Sequence, residues 1–252
     1  MLKNKKGLII GIANEHSIAY GCAKALQADG TELAATYLNE EEEPYVRPLA
    51  EKLKCPIILP CDVEKPGELE AVFDRIAADW GRLDFVLHSI AFAPAEDLHG
   101  RVVDCSRDGF ILAMSISVHS FIRMAKLAEP LLTDGGCLLT MSYYGAERVV
   151  EFYNIMGPVK AALETTIRYI AVELGGRGIR VNAISPGPVQ TRAASGIEKF
   201  DRILDKAVAK SPEHRLITTD DVGALAAFLI SDQAVAITGE IIHVDAGYHA
   251  VD

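Results

Sequence analysis

The sequence predicts an α/β fold built on one doubly wound parallel β-sheet with helices on both faces. Two observations lead to this prediction: short, almost continuously apolar runs alternate with helical patterns, and the runs end in small or polar residues. The 252 residues fit one domain of this kind rather than two. We therefore expect a single-domain, Rossmann-type parallel sheet of about seven strands that occupies residues 1–252.

The predicted strands are the short apolar runs, many of them rich in β-branched residues. They cover residues 7–12, 31–37, 56–62, 83–89, 135–142, 179–185 and 240–247. Between them, apolar residues recur at helical spacing and predict helices over 18–30, 43–54, 66–80, 108–132, 154–174, 196–209 and 219–231. Right-handed crossovers between parallel strands then place a ligand at the carboxyl ends of the strands.

Composition argues against several classes of function. A formal net charge of −10 disfavours nucleic acid as the main partner, because phosphate binding favours a basic surface. The five cysteines contain no CxxC pair and the seven histidines no HxxxH pair, so we expect neither a disulfide framework nor a metal site. No apolar run approaches the roughly 20 residues that span a bilayer. These features predict a cytoplasmic protein without a membrane segment.

The turn between the first strand and the first helix is a candidate nucleotide site. It reads GIANEHSIA, which contains Gly11 and Ser17 but does not match the GxGxxG dinucleotide fingerprint. A helix that starts near Ser17 and Ile18 still offers backbone N–H groups and a positive dipole end to a pyrophosphate, and Ser17 can serve as its N-cap. The alternative is an ordinary capped helix without a ligand.

Two further strand ends favour the nucleotide interpretation. CDV at 61–63 ends the third strand and places Asp62 where it could accept a hydrogen bond from an adenine amino group. SIAFAP at 89–94 ends the fourth strand, beside the point where a ribose and a nicotinamide would lie. Asp62 alone could be a helix cap, but three such strand ends together indicate a dinucleotide.

The end of the second strand predicts which dinucleotide is used. Folds that bind NADP place an arginine or lysine there for the 2′-phosphate, whereas those that bind NAD often place an acid. Here Tyr37, Leu38 and Asn39 are followed by four glutamates at 40–43, and this part of the sequence offers no cation. We therefore predict NADH rather than NADPH.

Residues 142–160 carry the candidate catalytic groups. They contain Tyr143, Tyr153 and Lys160, and the lysine follows the second tyrosine by seven residues. Seven residues are about two helical turns, so Lys160 is expected to point back towards Tyr153, where its charge would stabilise a phenolate. An unperturbed tyrosine has a pKa of about 10, so Tyr153 is a proton donor rather than a base at neutral pH.

A proline limits the helical argument for Tyr153 and Lys160, and residues 142–160 also have a simpler interpretation. Pro158 is comfortable only in the first turn of a helix, so regular helix is expected to begin between Asn154 and Gly157. The simpler interpretation is that Tyr143 and Tyr153 are half-buried aromatic residues beside a solvated lysine. Their joint spacing argues against it.

With these residues the chain resembles the short-chain dehydrogenase/reductase superfamily, and within it the bacterial NADH-dependent enoyl-[acyl-carrier-protein] reductases of fatty acid synthesis. The similar stretches are GIANEHSIAYG, CDV, HSIAFAP, LTMSYYGAER, YNIMGPVKAALE, IRVNAISPGPVQTRAASGI and GEIIHVDAGY. Most of the superfamily has Tyr-x3-Lys, which would require a lysine at Gly157. The gap of six residues between Tyr153 and Lys160 instead resembles the enoyl reductases.

The resemblance implies a reaction and its catalytic residues. NADH would deliver hydride to the β-carbon of a trans-2-enoyl thioester, and Tyr153 would stabilise the enolate oxygen as a hydrogen-bond donor. Lys160 would grip the hydroxyls of the nicotinamide ribose, and Tyr143 would lie near the substrate carbonyl. The resemblance also implies an acyl carrier protein as the carrier of the substrate, and a homotetramer.

The resemblance further implies the binding residues. The positions that match cofactor contacts are Gly11, Ser17, Ile18, Leu38, Asp62, Val63, Ser89, Ile90, Lys160, Val189, Thr191 and Ala193. The positions expected near the acyl substrate are Ala93, Tyr143 and Met156. Three positions depart from the family: Leu38 stands where some members have a polar residue, Ala91 where many have glycine, and Arg192 where many have leucine.

Residues 190–212 are predicted to form a substrate lid, because PGPVQTRAASG is rich in small residues and turn formers. The helix expected at 196–209 carries a basic stripe of Lys199, Arg202, Lys206 and Lys210. In one interpretation the stripe steers an acidic acyl carrier protein to the site. In the other it is a solvated face balanced by the neighbouring acids Glu198, Asp201 and Asp205.

Two other functions stay open. A carbonyl reductase or alcohol dehydrogenase of the same fold would hold the hydride donor identically but act on a C=O bond. A non-catalytic NAD-binding regulator would keep only the nucleotide site. The presence of both Tyr153 and Lys160 argues against the regulator.

Overall fold

A computed structural model describes residues 2–251, except for the side chains of Ala193 and Ser195. Seven parallel strands form one sheet in the order β3-β2-β1-β4-β5-β6-β7. They are β1 (Lys6–Ile10), β2 (Glu32–Tyr37), β3 (Ile57–Pro60), β4 (Phe85–His88), β5 (Gly136–Met141), β6 (Ile179–Pro186) and β7 (Ile241–Val244). The strand order reverses beside β1, which puts a ligand crevice at the carboxyl ends of β1 and β4. The predicted doubly wound parallel sheet is confirmed.

The α-helices cover both faces of this sheet. They are α1 (Ile18–Ala28), α2 (Glu43–Lys52), α3 (Glu68–Trp80), α4 (Ala95–His99), α5 (Arg107–Met114), α6 (Ser120–Ala128), α7 (Met156–Gly175), α8 (Arg192–Ser195), α9 (Phe200–Lys210) and α10 (Thr219–Ile230). One apolar cluster lies between the sheet and α3, α5, α6 and α7. A second lies between the opposite face and α1, α2 and α10. Burial on both faces explains why the strands read as continuous apolar runs.

The helix predicted at 108–132 is shorter and less regular than expected. It spans Arg107–Ala128 as α5 and α6, which a π-helical turn at Ser115–His119 joins. It ends at Ala128, two residues before Pro130, because a proline has no N–H to continue the helical hydrogen bonds. By length and composition this helix, with a mean hydropathy of 1.4, could cross a membrane, although such a helix is also common in the core of a globular protein.

Two further differences lie near the expected ligand end of the sheet. The helix predicted at 196–209 begins only at Phe200, because Lys199 adopts a left-handed backbone with a φ of 53° and interrupts the helix. The short α4 was not predicted, because five residues are too few to show a helical period. Both elements lie beside the segment that carries the two tyrosines.

Candidate active site

The carboxyl ends of the strands bring the predicted site residues to one edge of the sheet. The strands β3 and β4 are four residues long, so CDV and SIAFAP lie in the loops beyond them rather than within the strands. The residues that follow strands at this edge are Gly11, Leu38, Asp62, Val63, Ser89, Ile90, Ala93, Tyr143, Val189 and Thr191. Met156 and Lys160 lie in the first turns of α7. The edge therefore carries both the cofactor candidates and the catalytic candidates.

The loop between β1 and α1 has the shape of an anion site. Gly11 has a φ of 113°, and an added Cβ would overlap the backbone oxygen of Ser89, so only glycine lets β1 and the loop after β4 approach this closely. The prediction that Ser17 caps α1 through its side chain is wrong, because its hydroxyl donates to the Asn14 oxygen at 2.7 Å. The first turn of α1 contains no acidic residue, so its N–H groups suit a pyrophosphate.

The candidate adenine pocket has one apolar and one acidic wall. Leu38, at the end of β2, has half of its surface exposed, which is unusual for a leucine beside a core and fits a site covered by a ring. The Asp62 carboxylate accepts the N–H of Glu64 at 3.0 Å and leaves its second oxygen for another donor. The side chains of Val63 and Val189 are buried in the two apolar clusters, so these residues offer a cofactor only their backbone.

The prediction that no cation lies at the end of β2 is wrong. Arg192 of α8 reaches the acidic run and donates to both carboxylate oxygens of Glu42, at 2.6 and 2.8 Å. Within α2, Arg47 donates to Glu43 at 2.6 Å. The sequence concealed the first pair because its members lie 150 residues apart.

The two predicted tyrosines are in contact. The ring centroids of Tyr143 and Tyr153 lie 4.6 Å apart at an interplanar angle of 58°. Phe152 and Asn154, on either side of Tyr153, both adopt left-handed backbone with φ values of 66° and 43°. The Asn154 amide donates to the Leu98 oxygen of α4 at 2.7 Å and so anchors this strained turn. The turn fixes Tyr153 ahead of α7.

Two glycines bear on the packing of the site: Gly145 leaves room for the tyrosine pair, and Gly157 stands where the commoner lysine would be. A Cβ at Gly145 would overlap the ring of Tyr153 and lie 3.2 Å from that of Tyr143. A Cβ at Gly157 would lie 3.0 Å from the Gly145 oxygen. A side chain at position 157, where most of the superfamily has its lysine, would therefore require the Gly145 backbone to shift by a few tenths of an ångström. Regular helix begins at Met156, inside the interval that Pro158 predicted.

Replacement of Gly145 by alanine is expected to lower kcat/KM about tenfold or more. The added methyl group displaces the Tyr153 ring, and a misplacement of about 1 Å can cost up to 100-fold in rate. Steady-state kinetics with an enoyl thioester measure the loss. Gly175→Ala is the matched control, because no atom lies near its added Cβ, and we expect its kinetics to match the wild type. A Gly145→Ala enzyme as active as this control would contradict the packing argument.

Tyr153 is a buried residue whose hydroxyl can act as a proton donor. Its residue is 7% exposed, and among residues 2–251 no group forms a hydrogen bond with its hydroxyl. Burial raises the pKa of Tyr153 well above its usual value, and the nearby Tyr143 raises it further. The expectation that a cation favours the phenolate is therefore not met. Tyr153 stays protonated and free to donate to a ligand.

Lys160 lies deeper in the fold than the sequence indicated. The residue is 5% exposed, and its Nζ donates to the Met141 oxygen at 2.8 Å rather than to Tyr153. Burial lowers the pKa of Lys160 to about 8, against the opposing effect of the Glu164 carboxylate. The ammonium is thus held at the end of β5, at the residue that directly precedes Ser142 and Tyr143.

A buried carboxylate beside Lys160 was missed. Glu164 lies one helical turn after the lysine, is 5% exposed, and accepts a short hydrogen bond from the Ser142 hydroxyl. Burial raises the pKa of Glu164, and the Ser142 bond opposes this shift. The i, i+4 spacing from Lys160 was the available signal, since charged residues on a core-facing stripe are rare. The two residues together fasten the end of β5 to α7.

A buried histidine under the site was also missed. His88, the last residue of β4, is fully buried between the hydroxyls of Thr140 and Ser120, each 2.8 Å from a ring nitrogen. The Ser120 hydroxyl donates to the Ile116 oxygen, so Nε2 of His88 carries the proton and donates to Ser120. Burial, and then the charge of Lys160, lower the pKa of His88 to about 3. His88 is therefore a neutral structural residue.

The basic stripe on the lid helix is smaller than predicted. Arg202 and Lys206 of α9 are exposed, and neither forms an ion pair with a residue that the structure describes. Lys210 instead lies over the rings of Tyr248 and Tyr144, with its Nζ 4.6 and 5.6 Å from their centroids. It joins the lid to the segment after β5 rather than facing solvent.

Within residues 2–251, no group of three or more histidine, cysteine or acidic side chains could hold a metal ion. All five cysteines are free thiols. Burial raises the pKa of Cys22, Cys55 and Cys61 to about 12, so these thiols are inert.

A doubly wound sheet with a nucleotide loop after β1 and a buried tyrosine–lysine pair after β5 defines the short-chain dehydrogenase/reductase class. Comparison with known proteins narrows this class. The family model described as enoyl-(acyl carrier protein) reductase matches residues 11–249. The chain belongs to this family.

Full-length relatives agree with the family match. Enoyl-[acyl-carrier-protein] reductase [NADH] 1 of Rhizobium meliloti is 47% identical over 100% of this chain and 92% of the relative. A crystal structure of the reductase from Anaplasma phagocytophilum in complex with NAD is 51% identical, with a TM-score of 0.96 over 99% of this chain and 95% of that one. The Bacillus cereus enzyme, crystallised with NADP+ and indole naphthyridinone, is 46% identical, with a TM-score of 0.97 over 100% and 98%.

Proposed function

We propose that this chain reduces the C=C bond of trans-2-enoyl groups carried on acyl carrier protein, with NADH as the reductant, in fatty acid biosynthesis. The observation that carries the proposal is the side chain of Tyr153, a buried residue whose hydroxyl has no partner among the described residues, beside the cofactor edge and with the lysine at position 160 rather than 157. Bound NADH supplies a hydride for the β-carbon. Family membership and full-length relatives of that activity support this function.

The protein's own residues stabilise the negative charge that develops on the thioester oxygen. Tyr153 donates its hydroxyl hydrogen bond to the enolate oxygen, and its raised pKa keeps the proton on the phenol at neutral pH. Tyr143 packs against this ring and lines the side of the substrate carbonyl. Met156 and Ala93 line the acyl side. Lys160 carries its positive charge below pH of about 8.

The residues at the sheet edge fit a dinucleotide. The close approach at Gly11 and the uncapped α1 suit the pyrophosphate, and the exposed Leu38 suits the adenine. We propose that the cofactor contacts are those expected above: Gly11, Ser17, Ile18, Leu38, Asp62, Val63, Ser89, Ile90, Lys160, Val189, Thr191 and Ala193. The side chain of Ala193 lies outside the described part of the chain, so only its place in α8 supports this position.

Substrate choice separates this function from its nearest rival. The purified protein is expected to oxidise NADH with crotonyl thioester and not with acetoacetyl thioester, measured at 340 nm. Activity with acetoacetyl thioester alone would instead identify a carbonyl reductase of the same fold. Binding of NADH without turnover of either thioester, unchanged by Tyr153→Phe, would identify a non-catalytic NAD-binding regulator.

We propose that residues 190–212 form the substrate lid within one catalytic domain of 252 residues. Three contacts hold this segment over the site. Arg192 binds Glu42 at the cofactor side, and the His99 ring nitrogen lies 2.8 Å from the Gly196 oxygen at the α4 side. Lys199 lies over the ring of Phe152, with its Nζ 4.9 Å from the centroid. The lid thus contacts both ends of the crevice.

The exposed basic pair on α9 is the proposed docking point for the acidic acyl carrier protein. Arg202 and Lys206 lie one helical turn apart, so both point in the same direction. In a chain of net charge −10, such a pair beside the lid offers a local attraction for an acidic partner.

Reversal of both charges, Arg202→Glu with Lys206→Glu, is expected to raise KM for the carrier-linked substrate about tenfold. KM for the corresponding coenzyme A thioester is expected to change less than about twofold, because that substrate does not need the docking surface. Lys52→Glu with Lys54→Glu provides a matched double reversal away from the lid. An equal rise for both substrates, or the same rise in the control, would contradict the docking proposal.

We further propose a cytoplasmic homotetramer without a membrane segment. Ile122 of α6 and Tyr169 and Val172 of α7 expose 41, 69 and 83% of their surfaces on neighbouring helices, which suits contact with a second copy. The apolar helix Arg107–Ala128 is an unsuitable membrane span, because its Arg123 forms an ion pair with Glu70 of α3 at 2.8 Å. Five free cysteines suit a reducing compartment.

A further inference from the structure

Two neighbouring glutamates at the start of α2 are held by two different arginines. Glu43 is bound by Arg47, one turn further along the same helix. Glu42 is bound by Arg192 of α8 through two parallel hydrogen bonds of 2.6 and 2.8 Å. The first pair is local to α2. In the second pair, Arg192 is the one lid side chain that contacts this acidic run among the residues that the structure describes.

The second pair lies where dinucleotide folds distinguish NADP from NAD. The β2 strand ends at Tyr37, and the side chain of Asn39 accepts the N–H of Glu42 at 3.0 Å, which fixes Glu42 next to the strand end. An arginine at the end of the second strand binds the 2′-phosphate in NADP-dependent members of such folds. The guanidinium fork of Arg192 matches a phosphate as well as it matches a carboxylate.

We propose that Glu42 sets the preference for NADH by holding the guanidinium of Arg192, which would otherwise bind the 2′-phosphate of NADPH. This inference rests on the proposed function, because it takes the edge at the carboxyl ends of the strands as the dinucleotide site. The Glu42 side chain is 20% exposed and that of Arg192 is 54% exposed, so the carboxylate is the fixed partner and the guanidinium the reaching one.

The specificity of the device follows from charge. With Glu42 in place, the pair is neutral and the neighbouring Glu40 and Glu41 leave a negative field that repels a phosphate dianion. When Glu42 loses its charge, the guanidinium gains a charge-assisted contact with the phosphate, and such bonds are about twice as strong as neutral ones. Removal of the Glu43 charge weakens the negative field about as much as removal of the Glu42 charge, but it leaves Arg192 bound to Glu42.

Calorimetric titration of the purified full-length protein with two probes tests the proposal without turnover. The probes are adenosine 2′,5′-bisphosphate and adenosine 5′-monophosphate, which differ only in the 2′-phosphate. In Glu42→Gln we expect the affinity ratio to shift about tenfold towards the bisphosphate. In Glu43→Gln, the matched control, we expect a shift of less than about threefold from the change in field alone.

The double variant decides which residue binds the phosphate. Glu42→Gln with Arg192→Leu is expected to lose the gain and return to within about threefold of the wild-type ratio. A gain that survives in this double variant, or an equal gain in Glu43→Gln, would overturn the proposal in favour of a general charge effect. An unchanged ratio in a Glu42→Gln protein that still binds adenosine 5′-monophosphate would overturn it as well.

Kinetics with both cofactors keep this test separate from that of the proposed function. In Glu42→Gln, the ratio of kcat/KM for NADPH to that for NADH is expected to rise about tenfold with crotonyl thioester. Failure of the wild-type protein to reduce crotonyl thioester would contradict the proposed function and leave the calorimetric result to decide the role of Glu42. Turnover with NADH but no shift in Glu42→Gln would contradict the role of Glu42 alone.

Discussion

Replacement of Tyr153 by phenylalanine is expected to lower kcat about 100- to 1000-fold. Removal of one oxyanion donor has a cost of this size. The ring stays in place, since its contact with Tyr143 does not involve the hydroxyl. The affinity for NADH is expected to change less than about threefold, because the missing hydroxyl acts on the substrate. Single-turnover reduction of an enoyl thioester measures the loss.

Tyr143→Phe is the matched comparison for this variant. It removes the other hydroxyl of the pair and also leaves the rings packed, and we expect a loss of less than about tenfold because Tyr143 only lines the carbonyl side. A larger loss in Tyr143→Phe than in Tyr153→Phe would reverse the roles of the two tyrosines. Full activity in Tyr153→Phe would remove enolate stabilisation by a tyrosine from the mechanism.

Lys160→Met is expected to lower kcat/KM about 100-fold, mainly through weaker binding of NADH. The variant keeps the length of the side chain but removes the ammonium and its contacts, each of which contributes roughly 1.5–3 kcal/mol as a charged hydrogen bond. The free energy of unfolding is expected to change by less than about 2 kcal/mol, because the lost bond to the Met141 oxygen is offset by the removal of a buried charge. Calorimetric NADH binding and denaturant unfolding measure the two effects.

The same residue predicts an alkaline limit to activity. Because burial lowers the pKa of Lys160 to about 8, the ammonium is present below that pH and is lost as the pH rises through it. Wild-type kcat/KM is therefore expected to fall above pH of about 8, and the residual activity of Lys160→Met is expected to lack this fall. Tyr153 does not contribute in this range because burial raises its pKa. A wild-type profile that stays flat to pH 10 would contradict the charged role of Lys160.

Features that depend on local patterns were predictable from the sequence. The seven strands followed from apolar runs with both faces buried, and the start of α7 followed from the tolerance of Pro158 in a first helical turn. The tyrosines and the lysine followed from their spacing and from the resemblance to a family. Each of these signals lies within about twenty consecutive residues, where helical and strand geometry relate sequence distance to spatial distance.

Features that depend on tertiary contacts were not predictable. The pairing of Glu42 with Arg192 joins residues 150 positions apart, so the prediction of an acidic loop without a cation was wrong. The left-handed backbone of Phe152 has no sequence signal, because bulky residues rarely adopt it, whereas the asparagine at 154 is a type that tolerates it. Ser17 occupies the N-cap position, but its hydroxyl donates to the Asn14 oxygen and its side chain accepts no N–H of α1, an orientation that only coordinates show.

The central claim is that the site around Tyr153 reduces a C=C bond and protonates the enolate that follows. Turnover of crotonyl thioester with NADH deuterated at C4, followed by mass spectrometry and NMR of the product, tests this claim most directly. The expected product is a butyryl thioester with one deuterium on the β-carbon and a solvent hydrogen on the α-carbon. Deuterium on the carbonyl carbon, with the C=C bond intact, would contradict it.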